Sequence, residues 1–260
     1  MTTNNGLSDK SLKQDDARII GGIEVTKNKF PWMVSISNSK REHFCGGTLI
    51  ASDIVLSAGH CLSLNEICTQ DVIVRVGYTN ISNKTKDQGE DFKVIRRILH
   101  TDYAYTPSMI YSDLLILKLD RETKVKEFPT FATDKIDNMD STQLFAMGWG
   151  RTDPKDEFSI SDKLIQVELP LVTAKKCESM VKNIYNDFQS SIMLCAGGSK
   201  EKSQDACKGD SGGPLIGYDE NNSPVLYGIT SFGRECGKKG VPGLFTRISA
   251  YKEFIDWNMF

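Results

Sequence analysis

The sequence predicts an all-β fold of antiparallel barrels or sandwiches, and three observations carry that expectation. From Ile19 onward the chain is a succession of short β-rich runs bounded by Gly, Asn, Asp and Ser. Helical periodicity is confined to two stretches. The 260 residues also suit one large unit, because all-β sandwiches and barrels commonly reach about 200–250 residues as a single domain.

Residues 1–18 are rich in Asn, Ser, Asp and Lys with little to bury, which predicts a disordered leader. The predicted strands then follow as Trp32–Ser37, Thr48–Leu56, Val72–Val76, Phe92–Leu99, Leu114–Leu119, Gln143–Gly148, Lys163–Leu169, Pro214–Ile216, Val225–Ser231 and Gly243–Ile248. Their spacing favours antiparallel pairing over alternating βαβ units. Thr173 is a fair N-cap for a helix over Ala174–Lys182. Ser249–Trp257 places Tyr251, Phe254, Ile255 and Trp257 on one apolar stripe. Tyr78–Asp91 is polar and reads as a surface loop.

With 32 basic against 34 acidic residues the formal charge is −2, so no field of one sign points to nucleic acid or to an anionic membrane. The longest apolar runs, such as Leu114–Leu117, fall far short of a membrane span. Seven cysteines occupy positions 45, 61, 68, 177, 195, 207 and 236 without a Cys-x-x-Cys pair or zinc spacing to the three histidines. That leaves disulfides or buried thiols, with no structural metal expected. Disulfides would place the chain in an oxidising, secretory compartment. Met1–Arg18 holds no apolar signal core. Either a signal peptide is removed ahead of Met1 or export takes another route, and the first is the expectation.

The chemistry concentrates in Gly209-Asp210-Ser211-Gly212-Gly213-Pro214, a hexapeptide whose chance occurrence in such a chain is on the order of 10⁻⁵. A serine hydroxyl needs a base within hydrogen-bond reach and N–H donors where an oxyanion will form. Flanking glycines let the backbone turn tightly and aim those donors at one spot. Among three histidines, His60 stands out, straight after a strand and beside Cys61 in Leu56-Ser57-Ala58-Gly59-His60-Cys61. His43, in a charged turn, and His100, before a polar loop, read as solvated or structural. The third member must be a carboxylate that fixes the imidazole tautomer. Asp113, which opens the apolar run Leu114–Leu119, fits because an unpaired carboxylate beside so apolar a run is costly.

On these residues the chain resembles the chymotrypsin/trypsin family of serine peptidases. The resemblance spans Ile19 to about Trp257 and includes Ile19-Ile20-Gly21-Gly22, Cys45-Gly46-Gly47-Thr48-Leu49-Ile50, Gly148-Trp149-Gly150, the Ser211 hexapeptide and Pro242-Gly243-Leu244-Phe245-Thr246. The order His60, Asp113, Ser211 is that of chymotrypsin, and the triad logic is that of the family's template enzyme. The resemblance implies two six-stranded antiparallel Greek-key barrels with a C-terminal helix and the site between them. It implies His60 as base then acid, Asp113 as its orienter, Gly209 and Ser211 as oxyanion donors, and Ser231 supporting the aspartate.

By the same resemblance, Asp205, six residues before Ser211, is the base of the specificity pocket, with Gly233 and Gly243 as walls. Phe232 stands where tryptophan is more usual, and Glu235 where glycine is usual. A carboxylate there would pair with a guanidinium or ammonium group, so cleavage after Arg or Lys is expected. Arg18-Ile19 is the expected activation site, the freed Ile19 amine pairing with Asp210. Loss of Lys10, Lys13 and Arg18 with Asp9, Asp15 and Asp16 leaves the charge at −2.

The implied bridges are Cys45–Cys61, Cys177–Cys195 and Cys207–Cys236, leaving Cys68 as a free thiol or intermolecular link. Leu144 and Gly217 replace both halves of another frequent bridge. Tyr78 takes a position where many trypsins carry a calcium-binding carboxylate, so no tight calcium site is expected, and no cofactor. Gly59 replaces the usual alanine, a change expected to be tolerated. Asn80-Ile81-Ser82, Asn83-Lys84-Thr85 and Asn221-Asn222-Ser223 are glycosylation sequons. The implied partners are protein substrates cut at Arg or Lys, an activating protease and protein inhibitors, acting on a monomer. A narrow cascade protease and an inert homologue that acts as a binding protein are the alternatives. The short leader favours a digestive or host-degrading enzyme over the cascade.

Overall fold

The computed structural model describes residues 22–63, 72–82, 89–133, 142–153, 156, 159–185, 187–201, 205–233 and 236–259. Sixteen strands are present among them: β1 Ile23–Glu24, β2 Met33–Ser37, β3 His43–Ala51, β4 Ile54–Ser57, β5 Ile73–Val76, β6 Glu90–Leu99, β7 Ala104–Tyr105, β8 Ile110–Tyr111, β9 Leu115–Leu119, β10 Thr130–Phe131, β11 Gln143–Gly148, β12 Ile165–Val172, β13 Met193–Gly197, β14 Pro214–Tyr218, β15 Pro224–Phe232 and β16 Pro242–Arg247.

The first barrel closes in the order β2-β3-β4-β9-β6-β5. The second runs β12-β11-β14-β15-β16-β13 and closes through pairing of β12 with β13. Every pairing within the two barrels is antiparallel. The all-β, two-barrel architecture is therefore as expected. Alternation along the strands sends Val34, Leu49, Val55, Val74, Phe92 and Leu117 into the first core, and Leu144, Val167, Leu169, Leu215 and Phe245 into the second. At the missing bridge, Gly217 is hemmed in by the rings and methyls of Tyr227 and Leu144, which fill the space apolarly.

Two strand expectations need correcting. The run Thr48–Leu56 is not one strand. It folds back at Ser52-Asp53, so that Leu49 pairs with Val55 and Ala51 with Ile54. A tight polar turn with no Gly or Pro hides between two apolar stretches. The strand β13 was not expected, because Met193–Gly197 is short and its partner β16 lies some fifty residues away in sequence.

Helix α1 is a single turn over His60–Ser63. Helix α2 covers Ala174–Val181 and buries Cys177 and Val181. Thr173 holds the N-cap position without a side-chain cap bond, and its carbonyl accepts from Cys177 N at 2.8 Å. A 3-10 turn, Ile248–Tyr251, leads into α3, Lys252–Trp257. All three implied disulfides are formed: Cys45–Cys61, Cys177–Cys195 and Cys207–Cys236.

Candidate active site

The two barrels meet at the loops that carry the candidate residues. His60 opens α1 at the end of β4, and Asp113 sits between β8 and β9, so both come from the first barrel. Ser211 precedes β14 and Ser231 lies in β15, both in the second. The barrels are stitched here: Gly46 N donates to the Ser211 carbonyl at 2.7 Å, and Cys61 Sγ lies 3.7 Å from the same oxygen. The cystine that tethers β3 to the His60 turn thus also braces the Ser211 loop.

Asp113 is 2% exposed and His60 4%. Asp113 Oδ2 accepts from His60 Nδ1 at 2.7 Å, and Oδ1 accepts from His60 N at 2.8 Å. Ser231 Oγ donates a second, short bond to Oδ2. Thr246 Oγ1 donates to the Asp113 carbonyl at 2.9 Å. With the Nδ1 proton committed to the carboxylate, His60 Nε2 is left as the basic nitrogen. The aspartate is aimed by Ser112, which adopts φ +46. A serine in that left-handed region is strained and persists because its surroundings over-determine it. Tyr251 Oη donates to Ser112 Oγ at 3.2 Å.

The Ser211 loop is two consecutive tight turns. Asp210 N donates to Cys207 O at 2.9 Å, and Gly213 N to Asp210 O at 2.8 Å. Gly209 has φ +97, and a Cβ there would meet Gly150 Cα at 2.9 Å. Neither Gly209 N nor Ser211 N donates to a protein acceptor among the described residues. Two backbone N–H groups left free beside a serine are what an oxyanion site requires.

The carboxylate next door, Asp210, is 1% exposed. It accepts from Gly150 N and Cys207 N, each at 2.8 Å. Gly148 and Gly150 form its socket, since a Cβ at either would fall 2.2–2.3 Å from the carboxylate oxygens. Burial, partly offset by those two N–H bonds, pushes its pKa up to about 6, and no cation pairs with it among the described residues.

Asp205 is 7% exposed and accepts from Gly237 N at 3.1 Å. Burial pushes its pKa up to about 7 against the pull of the Gly237 and Ala206 N–H groups. A Cβ at Gly243 would strike Asp205 Oδ1 at 2.9 Å, whereas one at Gly233 meets nothing within 4 Å. Gly243 thus leaves room beside Asp205 Oδ1, and Gly233 borders open space. Phe232 packs edge-on against Tyr185 at 5.4 Å between ring centroids. Arg18, Ile19, Cys68, Glu235 and the Asn83 sequon lie outside the described residues.

One residue set aside in the sequence belongs here. His43 Nε2 bonds the Gly209 carbonyl at 2.8 Å and its Nδ1 bonds Ser35 Oγ at 2.9 Å. Its ring stands edge-on to Trp149 at 5.7 Å. A carbonyl only accepts, so Nε2 carries the proton and Ser35 donates to Nδ1. Burial lowers its pKa to about 4, which keeps the ring neutral. His43 therefore pins the Gly209–Asp210 peptide, which links the two candidate oxyanion donors Gly209 N and Ser211 N. The signal in the sequence was the strand pattern running on from His43 into Phe44-Cys45-Gly46-Gly47. Replacing His43 by Ala is expected to lower kcat by about 10²-fold, the scale of a misplaced oxyanion donor, with KM within a few-fold in steady-state kinetics.

The described residues at two candidate cation positions do not fit a metal. Cys45, His60 and Cys61 cluster within 4.8 Å, but the sulfurs are joined to each other. At the position of the calcium loop, the buried Arg75 guanidinium stacks on Tyr78 at 4.3 Å and donates to the Ile81 carbonyl at 2.8 Å. A fixed cation thus consumes the oxygen that a hard metal ion would need.

The trypsin family model matches residues 19–255. The chain belongs to the trypsin family of serine proteases. It is similar to phenoloxidase-activating factor 3 of Holotrichia diomphalia, 30% identical over 98% of this chain and 77% of that protein. Melanization protease 1 of Drosophila melanogaster is 33% identical over 93% and 66%. Ovochymase-2 of Mus musculus is 32% identical over 93% of this trypsin-family chain and 40% of its own length.

Proposed function

We propose that the chain is the zymogen of a secreted serine endopeptidase that cuts after Arg or Lys and is switched on by cleavage at Arg18–Ile19. The observation that carries the specificity is Asp205, a buried carboxylate without a cationic partner among the described residues, whose Oδ1 lies where a side chain at Gly243 would crowd it. A desolvated charge of this kind is costly until a cation arrives, so a substrate guanidinium or ammonium supplies what the pocket lacks.

In the chemical step Ser211 Oγ bonds to the scissile carbonyl carbon while its proton passes to His60 Nε2. The carbonyl electron pair moves onto oxygen, held by Gly209 N and Ser211 N. Collapse breaks the C–N bond, His60 gives the proton to the leaving amine, and an acyl-serine ester remains. Water repeats the sequence with His60 as base, releasing the acid and Ser211.

Asp210 supports the activation reading, being a buried carboxylate with two N–H donors and no cation among the described residues. The Ile19 ammonium freed by the cut would complete it, and a buried ion pair that needs both partners makes a switch. The names of the relatives, phenoloxidase-activating and melanization proteases, favour a proteolytic cascade over digestion as the setting.

Cutting the chain at Arg18 and following hydrolysis of an arginyl ester before and after tests this reading. Activity is expected to rise at least about 10³-fold on cleavage, within the reach of ordering an oxyanion site and pocket. Arg18→Gln, which the activating peptidase should not cut, stays idle. Equal activity in cut and uncut chains would contradict the switch.

A further inference from the structure

We propose that Gly59 and Tyr103 form a matched pair that positions His60, the ring of Tyr103 occupying the space that a side chain at position 59 would take. The pairing rests on the reading of His60 as the catalytic base.

Gly59 is the residue before His60 and is buried. A Cβ there would lie 2.8 Å from Leu99 Cδ1 and from Tyr103 Cδ2, and 3.0 Å from Tyr103 Cε2. Real Cβ atoms essentially never come that close, so something must move. Neither neighbour is loosely held. Leu99 pairs with Leu115 across β6 and β9, two residues from Asp113. Tyr103 N donates to the His100 carbonyl at 3.1 Å, while His100 N donates to Leu114 O at 3.1 Å. Both walls are therefore anchored to the segment that carries Asp113.

The peptide they press against has two duties. Its N–H, that of His60, donates to Asp113 Oδ1. The Gly59 carbonyl accepts from Leu62 N at 3.0 Å in the first turn of α1. A methyl at position 59 must displace the Tyr103 ring or push this peptide away from the Asp113 segment. Either movement loosens the two-point grip of Asp113 on His60. Tyr103 is half-buried, so its ring also forms part of the cover over that peptide. The alanine usual in the family is thus not an innocent substitution here, and Gly59 and Tyr103 act together as positioning residues.

The test compares wild type, Gly59→Ala, Tyr103→Leu and the double variant Gly59→Ala/Tyr103→Leu, each cut at Arg18. Rates are referred to active sites titrated with a serine-directed covalent inhibitor, so that loss of folded protein is not read as loss of rate. Gly59→Ala is expected to lower kcat by about ten- to a hundredfold, the cost of a sub-ångström to ångström misplacement, with KM within about twofold. Tyr103→Leu alone lowers kcat by less, and carries the test if Gly59→Ala does not fold. The double variant recovers most of the loss, a strong non-additivity of the kind shown by residues in contact. Unchanged kcat in both single variants, or losses that simply multiply in the double variant, would overturn the pairing. An inert wild type would instead refute the catalytic reading on which it stands.

Discussion

Replacing Asp113 by Asn lowers kcat by about 10⁴-fold with KM within a few-fold; that magnitude is the one characteristic of the family's template enzyme. The geometry of this chain explains why so small a change costs so much. Asp113 Oδ2 accepts two protons, from His60 Nδ1 and Ser231 Oγ, while Oδ1 accepts from His60 N. An amide has one accepting oxygen for three donors. If its NH₂ faces the imidazole, it donates to Nδ1 and moves the His60 proton to Nε2, where it blocks proton transfer from Ser211. If the NH₂ faces the backbone instead, it meets the His60 N–H donor to donor. Circular dichroism and inhibitor titration separate misfolding from lost chemistry. A loss below about tenfold would show that Asp113 is not the orienting carboxylate.

Asp205→Ser carries the second large effect. Removing one partner of a buried ion pair costs about 3–5 kcal/mol, so kcat/KM for Arg and Lys substrates falls by about 10²–10⁴-fold. A neutral, small-residue substrate is affected far less. The same change should raise stability at alkaline pH, and the sign follows from the pKa. Burial raises the Asp205 carboxyl to about 7, above its unfolded value of 3.8. Between those values the folded chain holds the proton and the unfolded chain has lost it, so stability falls as pH rises through that window and is lowest above about 7. Asp205→Ser removes this share of the fall and leaves the smaller one from Asp210, whose carboxyl burial raises to about 6, and thermal unfolding at pH 4 and pH 8 measures the difference from wild type. Arginyl substrates, conversely, bind best above about pH 7. A variant that kept its Arg preference, or lost stability at pH 8, would remove Asp205 from the pocket.

What the sequence disclosed was mostly local. The Ser211 hexapeptide, the His60 turn and the carboxylate at the head of Leu114–Leu119 each announce themselves within a few residues. Period-two alternation exposed most barrel strands for the same reason. The features that escaped depend on residues remote in the chain. His43 looks solvated in its charged turn until the Gly209 carbonyl, 166 residues away, is placed against it. The crowding at Gly59 exists only once Leu99 and Tyr103 close on it. The left-handed Ser112 has no signature, since only the folded surroundings impose φ +46. The turn at Ser52-Asp53 lacked the glycine or proline that marks such reversals. Physiological setting was the least legible. A short leader suggested digestion, a setting that the names of the relatives, a phenoloxidase-activating factor and a melanization protease, do not carry.

The most direct test of the central claim is the cleavage profile of the chain cut at Arg18, measured on a peptide mixture with every residue represented before the scissile bond. Wild type is expected to cut almost solely after Arg and Lys, and Ser211→Ala to be lower by at least about 10⁴-fold. Efficient cutting after Phe or Tyr would contradict the assignment of Asp205. Equal inertness of wild type and Ser211→Ala, after confirmed cleavage at Arg18, would contradict the enzyme itself and leave a binding protein on a protease fold.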